Sequence, residues 1–177
     1  YYPHNSFTEA EWEVQKQLSK HFSKEGEFIV FAGYEFTYHR KDLNPTYNHR
    51  CVIYPFSEGP LYRRIDEETN TDEKLMEKLK GKKVICYPHH CTYKIINPSV
   101  DRNVEVCSSW RVCIEEIDFT ISQLKNGEIF GFIGSSDTHR AVPGLGGALT
   151  GVVAEELTRG KLYESYKNRR LIATQGC

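Results

Sequence analysis

The sequence lacks long hydrophobic runs, an excess of charge of either sign and a secretory signal, and each absence excludes a class of protein. No apolar stretch approaches the roughly 20 residues of a membrane-spanning helix, and no segment has the pattern of a signal peptide. The 24 acidic residues nearly balance the 23 lysines and arginines, so no basic surface for nucleic acid or anionic lipid is evident. We therefore expect neither a nucleic-acid partner nor membrane association.

Paired cysteine motifs are also missing, although the chain has six cysteines. None belongs to a Cys-x-x-Cys motif, which argues against a zinc ribbon. Cys51, Cys86 and Cys107 lie inside apolar segments, where a free thiol behaves as a small apolar side chain. This pattern favours a reducing, cytoplasmic setting over a disulfide framework. Cys91, beside a pair of histidines, is a further candidate for a soft metal ligand.

The most informative stretch is residues 131–140. An apolar, β-rich segment ends in small residues and is followed by Asp137 and His139. Residues two apart on an extended backbone point to the same side, so a carboxylate oxygen and an imidazole nitrogen can converge on one metal ion. The alternative is an Asx-type turn, in which Asp137 caps the backbone and His139 faces solvent.

Three other apolar segments run into residues that commonly bind metals, which favours the metal interpretation. The residues that follow these segments are Glu35, the pair His89 and His90, and Glu105. A buried strand has no structural reason to end in ionisable groups, because burying them unpaired is costly. A shared divalent metal would neutralise the carboxylates and remove that cost. Mixed histidine and carboxylate ligands suit Zn, Mn or Fe better than Ca or a lone Mg.

The order of elements predicts one α/β domain over residues 1–177. Thr8 and Glu11 form a capping-box signature for a first helix that ends near His21 or Phe22. Further helices are expected from about 72 to 80, from 115 to 126 and from 158 onward. Strands alternate with these helices, which predicts a mainly parallel sheet that closes like a barrel. The glycine-rich loop 143–151 matches neither nucleotide-binding motif, and we interpret it as a rim of the metal site.

Five motifs together resemble the PHP (polymerase and histidinol phosphatase) superfamily, in particular a PHP-like metal-dependent phosphoesterase branch. The motifs occupy residues 33–37, 48–50, 88–90, 104–106 and 134–139. The resemblance covers nearly the whole chain from about Glu11. It implies a distorted (β/α)7 barrel, here incomplete at the N-terminus, with a two- or three-metal centre at its C-terminal face. Well-studied members hydrolyse phosphate esters with zinc, manganese or iron.

The resemblance also implies a set of metal ligands. By motif match these are Glu35, His89 or His90, Glu105, Asp137 and His139. The opening His-x-His motif of the family has no counterpart in these residues. We expect that motif to lie upstream or on a second chain that associates with this one. The chain alone is then expected to bind metal weakly and to be a poor catalyst.

These inferences predict a metal-dependent phosphoesterase that acts on a small phosphorylated substrate with two or three divalent ions. His49 could be a ligand, a proton donor to the leaving group or an ordinary turn histidine. Arg50, Arg111 and Arg140 are candidate phosphate-binding cations, and we favour Arg140 because it directly follows His139. The alternatives are an amidohydrolase-type hydrolase and a non-catalytic module with a vestigial metal site.

Overall fold

The computed structural model describes residues 7–39, 47–89, 95–108, 117–138, 142, 144–145 and 147–175. The described elements alternate irregularly between helices and strands. In chain order they are α1 (Glu9–His21), β1 (Ala32–His39), β2 (Tyr47–Tyr54), α2 (Asp72–Leu79), β3 (Ile85–Pro88), β4 (Asn103–Cys107), α3 (Ile117–Lys125), β5 (Gly131–Gly134), β6 (Ala148–Val152), α4 (Arg159–Lys167) and β7 (Leu171–Gln175). None of the described helices is long and apolar enough to cross a membrane.

Threonine side chains define the starts of three helices. Thr8 accepts a hydrogen bond from the Glu11 backbone, and the Glu11 carboxylate accepts one from the Thr8 backbone, so the predicted capping box is confirmed. The side chains of Thr71 and Thr158 cap α2 and α4, each by accepting a hydrogen bond from the backbone N–H of the third helical residue. Gly127 follows α3 with a φ of 89°, the left-handed conformation that commonly ends a helix.

The described strands form three small sheets and do not form a closed barrel. β1, β2 and β3 pair in that order, and both pairings are antiparallel. β4 and β5 are parallel, whereas β6 and β7 are antiparallel. The prediction of a mainly parallel sheet is therefore wrong for the described strands. Only residues 40–46 separate β1 from β2, and so short a connection makes a hairpin rather than a helical crossover.

Four of the strands nevertheless run in one direction. β1 and β3 are each antiparallel to β2, so they are parallel to each other. Cys86 of β3 forms a parallel bridge with Asp101, just before β4, so β4 runs in the same direction as β3. β5 is parallel to β4. The C-terminal ends of β3, β4 and β5 consequently lie along the same edge of the molecule.

Among the described residues the core has three clusters, and two of them pack on opposite faces of the β1–β3 sheet. Helices α1 and α2 contribute to a larger cluster of fully buried residues, which includes Trp12, Phe36, Val52, Leu75 and Leu79. On the opposite face, Ile85, Tyr87 and Ile133 pack against partly buried residues of α4 and β7. Successive strand residues point to opposite faces of the sheet, so the two clusters use alternate residues of the same strands.

Candidate metal centre

Three metal-binding side chains from separate strands converge at one end of the molecule. Glu35 lies in β1, His89 directly follows β3, and Asp137 follows β5 by three residues. One ligand atom from each lies within 4.8 Å of the other two. The parallel direction of β1, β3 and β5 brings these residues together, although they are far apart in sequence.

The sequence predicts that Glu35 ends its strand, but in the structure the strand continues beyond it. The apolar segment before Glu35 predicts a strand that stops at this residue, whereas β1 begins at Ala32 and continues through His39. Phe36, the next residue, is fully buried in the core, so the strand continues past the glutamate. Because neighbouring side chains alternate in direction, Glu35 can face the candidate centre while Phe36 packs inward.

The distances between the three side chains fit metal ligands better than hydrogen-bond partners. His89 Nε2 lies 3.6 Å from Asp137 Oδ2 and 3.9 Å from Glu35 Oε2. Hydrogen bonds of this kind are about 2.7–3.2 Å long. Donor atoms bound at roughly 2.1 Å to a tetrahedral ion would instead be about 3.4 Å apart. One imidazole and two carboxylates at this spacing therefore suit a divalent transition metal.

Glu105 contacts the other nitrogen of His89. Its Oε2 lies 2.9 Å from His89 Nδ1, and the Ser135 hydroxyl donates a short hydrogen bond to the same oxygen. Both Glu105 and His89 are buried. Glu105 therefore contacts His89 through the ring nitrogen that does not face Glu35 and Asp137. It is not part of the three-residue group that the described side chains form. A carboxylate in this position fixes the ring and directs its second nitrogen toward a metal.

Glu35 is held by two polar side chains of the β1–β2 hairpin. His49 Nδ1 lies 2.7 Å from Glu35 Oε1, and the Thr37 hydroxyl donates to the same oxygen at 3.0 Å. The other carboxylate oxygen is directed toward His89. The rings of His49 and His89 are 6.3 Å apart between centroids. His49 therefore belongs to the same cluster and is more than a turn residue.

The charges of the cluster explain the pKa of His89. Burial alone would lower this pKa, but the hydrogen bond to Glu105 and the negative charges of Glu105, Glu35 and Asp137 outweigh burial and raise it. Burial, followed by the charges of the same three carboxylates, raises the pKa of the nearby Cys51 thiol. The site is thus rich in negative charge, which a bound cation would balance.

Asp137 has a backbone conformation that is uncommon outside glycine. Its φ is 45°, in the left-handed region, which aspartate and asparagine tolerate better than most residues. The chain that leads to Asp137 passes close to β6 at Gly134, because a Cβ added at Gly134 would lie 2.5 Å from the Leu149 carbonyl oxygen. The backbone N–H of Gly134 also donates to the Thr150 hydroxyl. Packing against β6 therefore positions the segment that presents Asp137.

Arg50 cannot serve as the phosphate-binding cation that the sequence suggested. Its side chain is fully buried, and Nη1 lies 3.0 Å from Oδ2 of Asp101, which is also fully buried. The same carboxylate oxygen accepts a hydrogen bond from the Ile96 backbone. The interpretation of Arg50 as a substrate contact is therefore wrong, because the pair instead links β2 to the start of β4.

Several residues with predicted roles lie outside the described part of the chain. They are His90, Cys91, Arg111, His139 and Arg140. Their roles remain predictions. Sequence reasoning missed the contacts of Thr37 and Ser135 with the two glutamates. A signal existed for Thr37, which lies two residues after Glu35 and therefore on the same side of the strand.

Comparison with known proteins finds a similarity of fold. No family model matches the sequence, and no curated protein matches it significantly. The fold is similar to that of a solved two-domain protein from Bacteroides vulgatus ATCC 8482, described as containing a predicted PHP-like metal-dependent phosphoesterase. The two share 16% sequence identity with a TM-score of 0.64, over 96% of this chain and 50% of the other. The chain thus spans about half the length of that protein and has a related fold.

Proposed function

We propose that the chain is a metal-dependent phosphoesterase that hydrolyses esters of a small phosphorylated substrate. One observation carries the proposal, namely the convergence of Glu35, His89 and Asp137 with Glu105 behind His89. The similarity of fold to a protein described as containing a predicted PHP-like phosphoesterase supports it. The donor set alone suits many metal-dependent reactions, so the choice of phosphate esters depends on that similarity and on the sequence motifs.

In this proposal Glu35, His89 and Asp137 are direct ligands of a divalent metal. We propose His139 and His90 as further ligands of a centre of two or three ions, with the remaining ligands supplied by the His-x-His motif expected upstream or on a second chain. A bound divalent metal supplies Lewis acidity toward the phosphate ester. Glu105 holds the His89 ring so that Nε2 faces the ligand position, a role that differs from the direct ligation suggested by the sequence.

His49 is the proposed proton donor. Its hydrogen bond to Glu35 fixes the ring 2.7 Å from a proposed ligand, at the border of the site. The side chain is largely buried, and its Nε2 is not accessible to bulk water. A positioned imidazole can deliver a proton to a leaving oxygen near neutral pH. Arg140 is the proposed contact for the non-reacting phosphate oxygens.

Hydrolysis assays with a matched pair of variants test the proposal. Asp137→Asn keeps the shape of the side chain and tolerates the positive φ, but it weakens a metal ligand. With Mn²⁺ or Zn²⁺ present, we expect hydrolysis of p-nitrophenyl phosphate or bis(p-nitrophenyl) phosphate that EDTA abolishes. Asp137→Asn should reduce turnover by about 100-fold or more, since removing one stabilising interaction from a transition state commonly costs this much.

The control is Asp66→Asn, which removes a carboxylate from an ion pair with Arg63 outside the site. This variant should retain full activity. Unchanged turnover of Asp137→Asn at saturating metal would contradict the proposal. Metal-dependent cleavage of cyclic amides without cleavage of phosphate esters would support the amidohydrolase alternative instead.

A further inference from the structure

A cavity of about 560 Å³ lies at the opposite end of β3 from the candidate metal centre. The turn after α2, the start of β3, the approach to β4 and helix α4 form its walls. Lys83 lines this cavity and precedes β3, whereas His89 directly follows β3. The cavity is therefore separate from the centre proposed above. Its volume falls within the range of about 300–1,000 Å³ typical of small-molecule sites.

The cavity carries charge of one sign. Five of its lining residues are cationic, namely Lys80, Lys82, Lys83, Arg102 and Lys167. Among the described residues, no aspartate or glutamate lines it. The chain as a whole has a formal net charge of −1, so this concentration of positive charge is local. Like charges that share a concave surface create a positive potential that attracts anions.

Nearby carboxylates compensate this charge only in part. Glu77 lies 3.9 Å from Lys80, and both side chains are well exposed. Glu58 lines a neighbouring cavity together with Lys82 and Lys83, but it pairs with Lys20. Partial burial, and then the charge of Arg102, lower the pKa of Arg169.

Aromatic rings form one wall of the same cavity. Tyr163 and Tyr166 of α4 line it. Lys83 lies over the Phe56 ring at 5.2 Å, and Phe56 packs edge-on against Tyr163 with centroids 5.9 Å apart. At the floor, the buried Asn103 amide donates to the Tyr166 carbonyl and holds α4 against the start of β4. The wall is thus built on regular elements and packed side chains.

From this combination of cations and aromatic rings we propose that the cavity binds an organic diphosphate of nucleotide size. The lysines and Arg102 neutralise the phosphate charges, Arg102 with the planar group that suits phosphate oxygens. Tyr163 offers an aromatic surface to a base or another flat ring. A site at the other end of β3 from the metal centre serves as a separate binding site for a ligand or effector.

Calorimetric titration of the full chain in EDTA tests this proposal, since EDTA removes binding that depends on metal. ADP and pyrophosphate are the probes. We expect saturable binding of both, with ADP at least threefold tighter, and weaker binding as salt rises. The double variant Lys83→Gln/Arg102→Gln should weaken ADP binding tenfold or more. Asp137→Asn, in the metal centre, should leave it unchanged.

The matched control is Lys24→Gln/Lys125→Gln, which also removes two exposed positive charges but lies outside the cavity. Equal weakening by the two double variants would show general charge attraction and would overturn the site. Absence of ADP binding at millimolar concentration would overturn it as well. Equal affinity for ADP and pyrophosphate would contradict the role of the aromatic wall. Because every titration is made without metal, these outcomes are independent of the proposed phosphoesterase activity.

Discussion

At the scale of single residues, the candidate centre depends on side chains that make two different contacts. Glu35 uses one oxygen for His49 and Thr37 and directs the other toward His89. His89 uses Nδ1 for Glu105 and directs Nε2 toward Glu35 and Asp137. In each case the first contact fixes the orientation of the atom proposed to bind the metal. Preorganisation of this kind is what separates a binding site from a chance cluster of acids.

The role of Glu105 can be tested by Glu105→Gln. The amide is similar in shape but carries no charge, so His89 loses an orienting carboxylate while the three proposed ligands remain. We expect the dissociation constant for Mn²⁺ to rise about 10–100-fold, the usual effect of losing such a partner. Calorimetric titration measures this change. Glu67→Gln, an exposed position, is the control and should bind as the unmodified chain does.

Metal binding should also depend on pH through His89. An imidazole must lose its proton to bind a metal, and the neighbouring carboxylates raise the pKa of His89 above the value of about 6.5 usual for histidine. Without metal, protonated His89 stabilises the fold at low pH, and this stabilisation is lost as pH rises through its raised pKa. The increase in Tm caused by Mn²⁺ should therefore grow with pH over that range.

Thermal unfolding with and without Mn²⁺ across a pH series measures this increase. His21→Gln removes an exposed histidine and should leave the pH dependence unchanged. Glu105→Gln should shift the dependence to lower pH, because the group that raises the His89 pKa most is gone. An increase in Tm that is independent of pH would show that His89 is not a ligand.

At the scale of elements, close packing around the hairpin and α1 makes particular glycines necessary. A Cβ at Gly59 would lie 2.3 Å from the buried ring of Tyr54, and the Gly59 carbonyl accepts a hydrogen bond from Trp12 at 2.9 Å. Gly59→Ala should lower the free energy of unfolding by about 1–3 kcal/mol, the usual cost of overpacking. Urea unfolding measures the change.

Gly160 provides the matched control, since an added Cβ there meets nothing within 4 Å and the residue lies in α4. Gly160→Ala should raise the free energy of unfolding by about 0.5–1 kcal/mol, because alanine restricts the unfolded chain and favours a helix. Equal effects of the two substitutions would contradict the described packing.

Local signals in the sequence predicted the helices better than the sheets. Caps at Thr8, Thr71 and Thr158 depend on residues three positions apart, so the helix starts could be found from sequence alone. The strand directions depend on partners distant in the chain, and the hairpin of β1 and β2 was not expected. Glu35 was expected at a strand end because the apolar run before it stops there.

At the scale of the whole molecule, positive and negative side chains concentrate at opposite ends of β3. Carboxylates gather around His89, and lysines and Arg102 gather near Lys83. The near-zero net charge of the sequence concealed this separation, because composition averages over both ends. The convergence of Glu35, His89 and Asp137 was predictable from residue type and position, whereas the different positions of Glu105 and Arg50 required the three-dimensional arrangement.

Direct titration with Mn²⁺ tests the central claim most directly, because Mn²⁺ prefers carboxylate and imidazole ligands and avoids the thiols of this chain. The chain is first treated with EDTA and then freed of the chelator. We expect saturable binding that weakens at least tenfold in Glu35→Gln and in Asp137→Asn, and less than twofold in the control Asp66→Asn. Binding in both site variants as tight as in the unmodified chain would contradict the assignment of Glu35, His89 and Asp137 as a metal centre.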